Sequence, residues 1–243
     1  MENCGRPWTS DPNRLCNAEA IPGLTACLAH ADPKSRQEFL ATVHKAPASM
    51  TGLLRNLEIH GELCRELKGI LTRFTPINFS GSEFIGACSL NVHFAGDVDF
   101  SHCRFRARAW FDGAFFPGKT YFTYSKFDED ASFNGARFDA EVRFDLATFS
   151  SYVRFGSDFR SDVWFDRATF ESWVSVSLRN GIRVRFDDAI LSRVVLGSFV
   201  GAGQPGEDAV TRRHPNVPEG MSLANVGFGR TPQSVVRPPI ARH

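Results

Sequence analysis

The sequence predicts a mainly β solenoid, short strands wound into stacked coils, with a small helical module in front. Three observations point there. Phe recurs at 100, 105, 111, 116, 122, 127, 133, 138, 144, 149 and 155, in alternating steps of five and six. A small or β-branched residue stands two positions before each of these, as in Val98, Cys103, Ala109, Ala114, Thr120, Ala131 and Val142. Phe also dominates the large apolar residues, with 23 copies against 3 Tyr and 3 Met, which implies one slot of fixed size used many times.

The period excludes a helix. At about 100° per residue, steps of five and six would scatter the rings around the axis. On extended backbone, residues i and i−2 point the same way, so each unit buries one large and one small side chain. The residues between and after them are mostly polar or charged, such as Arg104, Asp112, Lys126, Arg137, Asp139 and Asp145. Strands this short bury nothing alone, and stacking them as coils gives one continuous core.

Written in elevens, the chain reads AWFDGAFFPGK, TYFTYSKFDED, ASFNGARFDAE, VRFDLATFSSY. These units resemble the pentapeptide-repeat family in its Phe-centred form, over roughly residues 74–199. The resemblance implies a right-handed quadrilateral β-helix with four faces per coil. If two elevens make one coil, Phe100, Phe122 and Phe144 stack in one column, and Phe105, Phe127 and Phe149 in another. One residue is missing near Gly156–Arg160. A local kink or bulge-like corner is expected there. Val176, Phe186, Leu191 and Leu196 read as degenerate repeat positions.

Three segments follow: 1–73, an N-terminal Cys/His segment plus helical cap; 74–199, the repeats; and 200–243, a Gly/Pro/Arg-rich tail expected to be disordered because it has little to bury. Within the tail, a short piece such as Met221–Val226 has enough apolar character to pack back. Asp32-Pro33 reads as a helix start, Asp as N-cap and Pro at the first turn, giving a helix over roughly 33–45. A second helix is expected over about 51–72, bent at Gly61 and covering the first coil.

Six cysteines divide by position. Cys88 and Cys103 occupy the small inward slot, and Cys64 lies on the apolar side of the second helix, so all three read as packing residues. Cys4, Cys16, Cys27 and His30 lie in a segment with few apolar residues. Cys27-Leu28-Ala29-His30 is a C-x2-H pair that one turn can present to one ion. Together the four are a candidate structural zinc site of Cys3His type. The first residues lack the basic and apolar regions of a secretory leader, so a cytoplasmic location and reduced thiols are expected.

Charge nearly cancels, 28 basic against 27 acidic residues. No apolar run reaches the roughly 18 residues of a membrane span. Neither a phosphate-cradling loop nor an H-E-x-x-H pair is present. A non-enzymatic protein-binding scaffold or adaptor is therefore the expected function, with no direct nucleic-acid contact and no membrane association. Trp110, Tyr121 and Trp164 directly precede inward Phe residues and should point outward, as candidate partner-binding residues on a shared surface. The resemblance implies an alternative, a DNA-mimicking protein that protects DNA gyrase or another topoisomerase. It also makes a homodimer plausible. Residues 74–199 carry 14 basic and 16 acidic side chains. Asp112, Asp128, Asp139, Asp145 and Asp166 are candidates for an acidic face, interrupted by Arg104, Arg106, Arg108, Arg143 and Arg154.

Overall fold

Every ladder between named strands is parallel, and almost every strand is two residues long, because each five- or six-residue unit spends the rest of its length on a corner. The computed structural model describes residues 3–43, 52–176, 184–196, 221–222 and 227–228. The strands line up on four faces. The first holds Ile77–Asn78, Val98–Asp99, Thr120–Tyr121, Val142–Arg143, Val163–Trp164 and Val184–Arg185. The second holds Glu58–Ile59, Glu83–Phe84, Arg104–Phe105, Lys126–Phe127 and Thr148–Phe149. The third holds Cys88–Ser89, Ala109–Trp110, Ala131–Ser132 and Val153–Phe155. The fourth holds Phe115–Phe116, Arg137–Phe138 and Asp158–Phe159. The longer strand Thr169–Val176 serves the second and third faces in turn.

The core is a set of ring columns. Phe79, Phe100, Phe122, Phe144, Phe165 and Phe186 stack face to face, centroids 4.7–5.2 Å apart and planes within 10°. Phe84, Phe105, Phe127, Phe149 and Phe170 form a second column at 4.5–4.9 Å. That spacing is set by the ladder, since hydrogen-bonded strands lie about 4.8 Å apart. Within a coil the rings meet edge to face, as Phe111 meets Phe122 at 82°. Both geometries suit the ring quadrupole.

The missing residue is taken out of a corner, not a strand. Arg137–Phe138 still pairs in register with Asp158–Phe159. Ser157 Oγ donates to the Phe133 carbonyl at 2.7 Å and closes the shortened turn. Phe138 and Phe159 tilt to 15°, against 1° one coil earlier. The expected kink reduces to that tilt. At the corner after the first face, His102, Tyr124, Leu146, Arg167 and Asp188 take φ of 56–58°. Left-handed backbone costs a non-glycine residue on the order of 1 kcal/mol. It lets Tyr124 N donate to the Asp145 carbonyl one coil on, at 2.9 Å.

The degenerate positions Val176, Phe186 and Leu191 are buried. Of the expected tail, only 221–222 and 227–228 are among the described residues. Met221–Ser222 extends the first face beside Val184–Arg185, and Gly227–Phe228 pairs with Ile190–Leu191.

Two helices precede the repeats. α1 (Pro33–Val43) starts where Asp32-Pro33 placed it, and Asp32 Oδ1 accepts from Ser35 N at 3.0 Å. α2 (Gly61–Leu71) corrects the expected helix over 51–72. Gly61 begins the helix instead of bending it, and Leu57, Glu58 and Ile59 form part of the first coil beside Glu83–Phe84. The apolar residues Leu53, Leu54 and Leu57 belong to that coil, which a helical period could not distinguish from a buried strand. α2 buries Leu63, Cys64, Leu67, Ile70 and Leu71. Cys64 and Cys88, read from sequence as packing thiols, are joined in a disulfide. α2 lies against Cys88–Ser89 and brings their Cα atoms to 6.4 Å, within bridging range. Among the described residues, no helix is long and apolar enough to cross a membrane.

Two outcomes follow from the packing. Phe122 is wholly buried between Phe100 and Phe144, so Phe122→Ala should cost about 3–5 kcal/mol in denaturant unfolding. Exposed Lys126→Ala should stay within about 0.5 kcal/mol. Burial holds the Asp145 carboxyl above its ordinary range, Arg143 pulls it back, and neighbouring Asp166 pushes it up. The folded state therefore binds that proton more tightly than the unfolded chain, and stability falls as pH rises from the ordinary carboxylate range through the raised value. Asp145→Asn should melt higher than the parent at pH 7, and the gap should close on acidification below that window.

Candidate metal centre

Residues 3–19 form a small antiparallel hairpin. Cys4 N donates to the Ala18 carbonyl at 2.9 Å, Gly5 N to Cys16 at 3.0 Å, and Trp8 N to Arg14 at 2.8 Å. Asp11 turns the tip: its carbonyl accepts from Arg14 N and its side chain from Asn13 N. Cys4 and Cys16 thus face each other from the two arms. A single turn follows, in which His30 N and Ala31 N both donate to the Cys27 carbonyl. That turn delivers Cys27 and His30 to the same point, and Asp32 then starts α1.

All four predicted residues converge. Their donor atoms lie within 4.8 Å of one another. Cys16 Sγ is 3.7 Å from Cys27 Sγ, and His30 Nδ1 is 3.3 Å from Cys4 Sγ and 3.4 Å from Cys27 Sγ. A tetrahedral ion with bonds of about 2.3 Å to sulfur needs sulfur–sulfur edges of about 3.8 Å. The Cys16–Cys27 edge matches that value. The three cysteines are buried and the histidine half-buried. His30 turns Nδ1 to the sulfurs, and its Nε2 is buried without a hydrogen-bond partner. The group could hold a metal ion.

Its electrostatics separate the thiols. The hydrogen bond from Cys27 brings the Cys16 thiol down to about 6, against its burial. The same bond, with burial, pushes Cys27 up. Without metal, the shared hydrogen bond favours the thiolate on Cys16 over Cys27. The thiolate absorbance of the metal-free chain should appear with a first midpoint below the ordinary cysteine range. Cys27→Ala should shift that midpoint toward the ordinary cysteine range, because it removes the S–H donor next to Cys16.

The other candidates are arranged differently from expectation. Trp110 lies on the third face, between Ser89 and Ser132. Tyr121 and Trp164 lie on the first face, on either side of Arg143. These faces are opposite, so the three aromatics do not share one surface; four faces per coil put residues 11 apart on opposite sides. Arg143 lies over the Trp164 ring at 4.3 Å. The acidic residues are interleaved with arginines. Arg104 binds Asp128 at 2.7 Å, Arg137 binds Asp139 at 2.6 Å, and Arg185 reaches Asp166 at 3.1 Å. Asp112 instead accepts from Ser132 Oγ and Asn134 N.

Sequence reasoning missed the residues that dock this module on the solenoid. Glu58 accepts from Thr9 N and Ser10 N, each at 2.7 Å. Glu83 binds Arg14 and Arg106. Arg36 on α1 makes a two-pronged contact with Glu66 on α2, at 2.6 and 2.9 Å. The only available signal was a carboxylate between apolar neighbours, in Leu57-Glu58-Ile59.

The family model described as "Pentapeptide repeats (9 copies)" matches residues 116–157, the central coils. No curated protein and no solved structure matches the chain. The match falls on the coils whose Phe columns stack one on another, so this stretch of the β-solenoid is similar to pentapeptide repeats.

Proposed function

We propose that this protein is a non-catalytic scaffold that displays fixed side chains to a protein partner, with one structural zinc in its N-terminal module. The observation that carries the reading is the first face. Tyr121, Arg143, Trp164 and Arg185 follow one another there, one per coil, on strands locked by the Phe column beneath. Tyr, Trp and Arg are the residue types that dominate binding energy in interfaces. Their backbone is already ordered, so binding loses little conformational entropy.

The zinc reading rests on ligand type. Three cysteines and one histidine with donor atoms within 4.8 Å of one another suit zinc, and four protein donors leave no position for water or substrate. When bound, the ion fixes the hairpin to the Cys27–His30 turn. The DNA-mimic alternative finds less support on this surface, because Asp128, Asp139 and Asp166 are met by arginines.

Capture from lysate of the source organism tests the scaffold. A partner retained by the parent and by Trp110→Ala, but lost with Tyr121→Ala/Trp164→Ala, supports display from the first face. Retention by both variants counts against that face, and enrichment of topoisomerase subunits would favour the alternative. For the metal, analysis of the purified chain should give about one zinc per molecule. Cys27→Ser should bring it near zero.

A further inference from the structure

We infer that the metal centre is a latch on the solenoid: the ion holds the hairpin tip on the first coil, and its loss opens that coil while leaving the central coils intact. The inference rests on the zinc reading above.

The coil it would hold contains an unusual pairing. Glu58 and Glu83 are direct partners in register, and they are only 1% and 6% exposed. Two buried carboxylates side by side repel and lose their hydration. Glu83 is compensated from within the solenoid by Arg106, at 2.6 Å, and from the hairpin by Arg14. Glu58 takes its hydrogen bonds from the hairpin tip, Thr9 N and Ser10 N. Burial pushes the Glu58 carboxyl up, and those bonds together outweigh it and hold the group below its ordinary range. His60 completes the contact, with Nε2 2.8 Å from Thr9 Oγ1 and 3.8 Å from Glu58. Arg14 is itself placed by stacking 3.8 Å over buried Trp8.

The tip depends in turn on the ligands. The two arms meet through isolated bridges, Asn3 with Glu19 and Pro7 with Leu15, not through a continuous ladder. A hairpin this small has too little core to hold its shape alone. Cys4 and Cys16 clamp its arms, and Cys27 and His30 tie it to the turn that leads into α1. From there Arg36 reaches Ala31 O and, on α2, Glu66. One ion therefore fixes both routes by which the module grips the solenoid. Without it, Thr9 and Ser10 leave Glu58 and Arg14 leaves Glu83, so Glu58 loses its amide donors beside a Glu83 that keeps only Arg106. Glu58–Ile59 is a terminal strand with one neighbour, so it is the first part of the ladder to open.

Hydrogen exchange on the full-length chain, loaded with zinc or stripped and reloaded, tests this. Amides at 57–59 and 82–84 should exchange at least about tenfold faster after stripping and recover on reloading, while those at 120–149 stay unchanged. Arg14→Ala should keep one zinc yet raise exchange at 57–59 without stripping. Glu58→Gln should show a smaller rise on stripping than the parent, since a neutral amide beside Glu83 carries no repulsion. One zinc per chain with unchanged exchange at 57–59 overturns the latch alone. Zero zinc per chain overturns the metal reading and the latch together. Exchange that rises equally at 120–149 also overturns the latch, because the effect would then be global unfolding.

Discussion

Ring stacking at the strand spacing is the constraint on which the rest of the structure depends. Parallel hydrogen-bonded strands repeat at about 4.8 Å, a distance at which aromatic rings can stack in successive layers. A Phe that pairs in register with a Phe one coil away therefore satisfies backbone and side chain at once. Phe122 does both, with centroids 4.9 and 4.8 Å from Phe100 and Phe144 and its N–H bonded to the Arg143 carbonyl at 2.7 Å. A one-residue slip within a strand would turn every ring outward. The deletion near Gly156 is accommodated because it falls in a corner, where no ring has to move face.

The same constraint organises the outside. Once inward positions are fixed, the residue before each Phe joins an outward column whose members lie one coil apart. Charges brought that close must alternate or be screened. On the first face Arg143 and Arg185 lie near Asp145, Asp166 and Asp187, and Arg143 also covers Trp164. Individually, exposed pairs of this kind contribute little stability. Their consequence is positional: a column of aromatic and guanidinium groups is held at fixed spacing by a core that cannot shift.

The N-terminal module solves a different problem. A solenoid's first coil has one open edge and an uncovered ring layer. α2 buries its apolar side and lies against Cys88–Ser89, anchored by Cys64–Cys88. The hairpin meets the edge through polar contacts, with Thr9, Ser10 and Arg14 on Glu58 and Glu83. Polar docking of a segment with little core makes the four-ligand cluster the point on which the hairpin's shape turns.

The sequence by itself determined the solenoid, the Phe columns with their 22-residue spacing, the start of α1 at Asp32-Pro33, and the four members of the Cys/His cluster. Each is a local or strictly periodic property: a ring, a cap or a donor type is legible from residue identity and interval. Only the tertiary structure decided what depends on distant chain segments meeting. Leu57–Ile59 became a strand because Glu83–Phe84 offered it a partner, although its apolar residues fit a helix equally well. Cys64 met Cys88 because a helix packed on a coil. Trp164 came to lie under Arg143 because strands one coil apart pair in register. Glu58, an ordinary acid in the sequence, became the seat of the hairpin tip because two amides from Thr9 and Ser10 replaced the water it lost on burial.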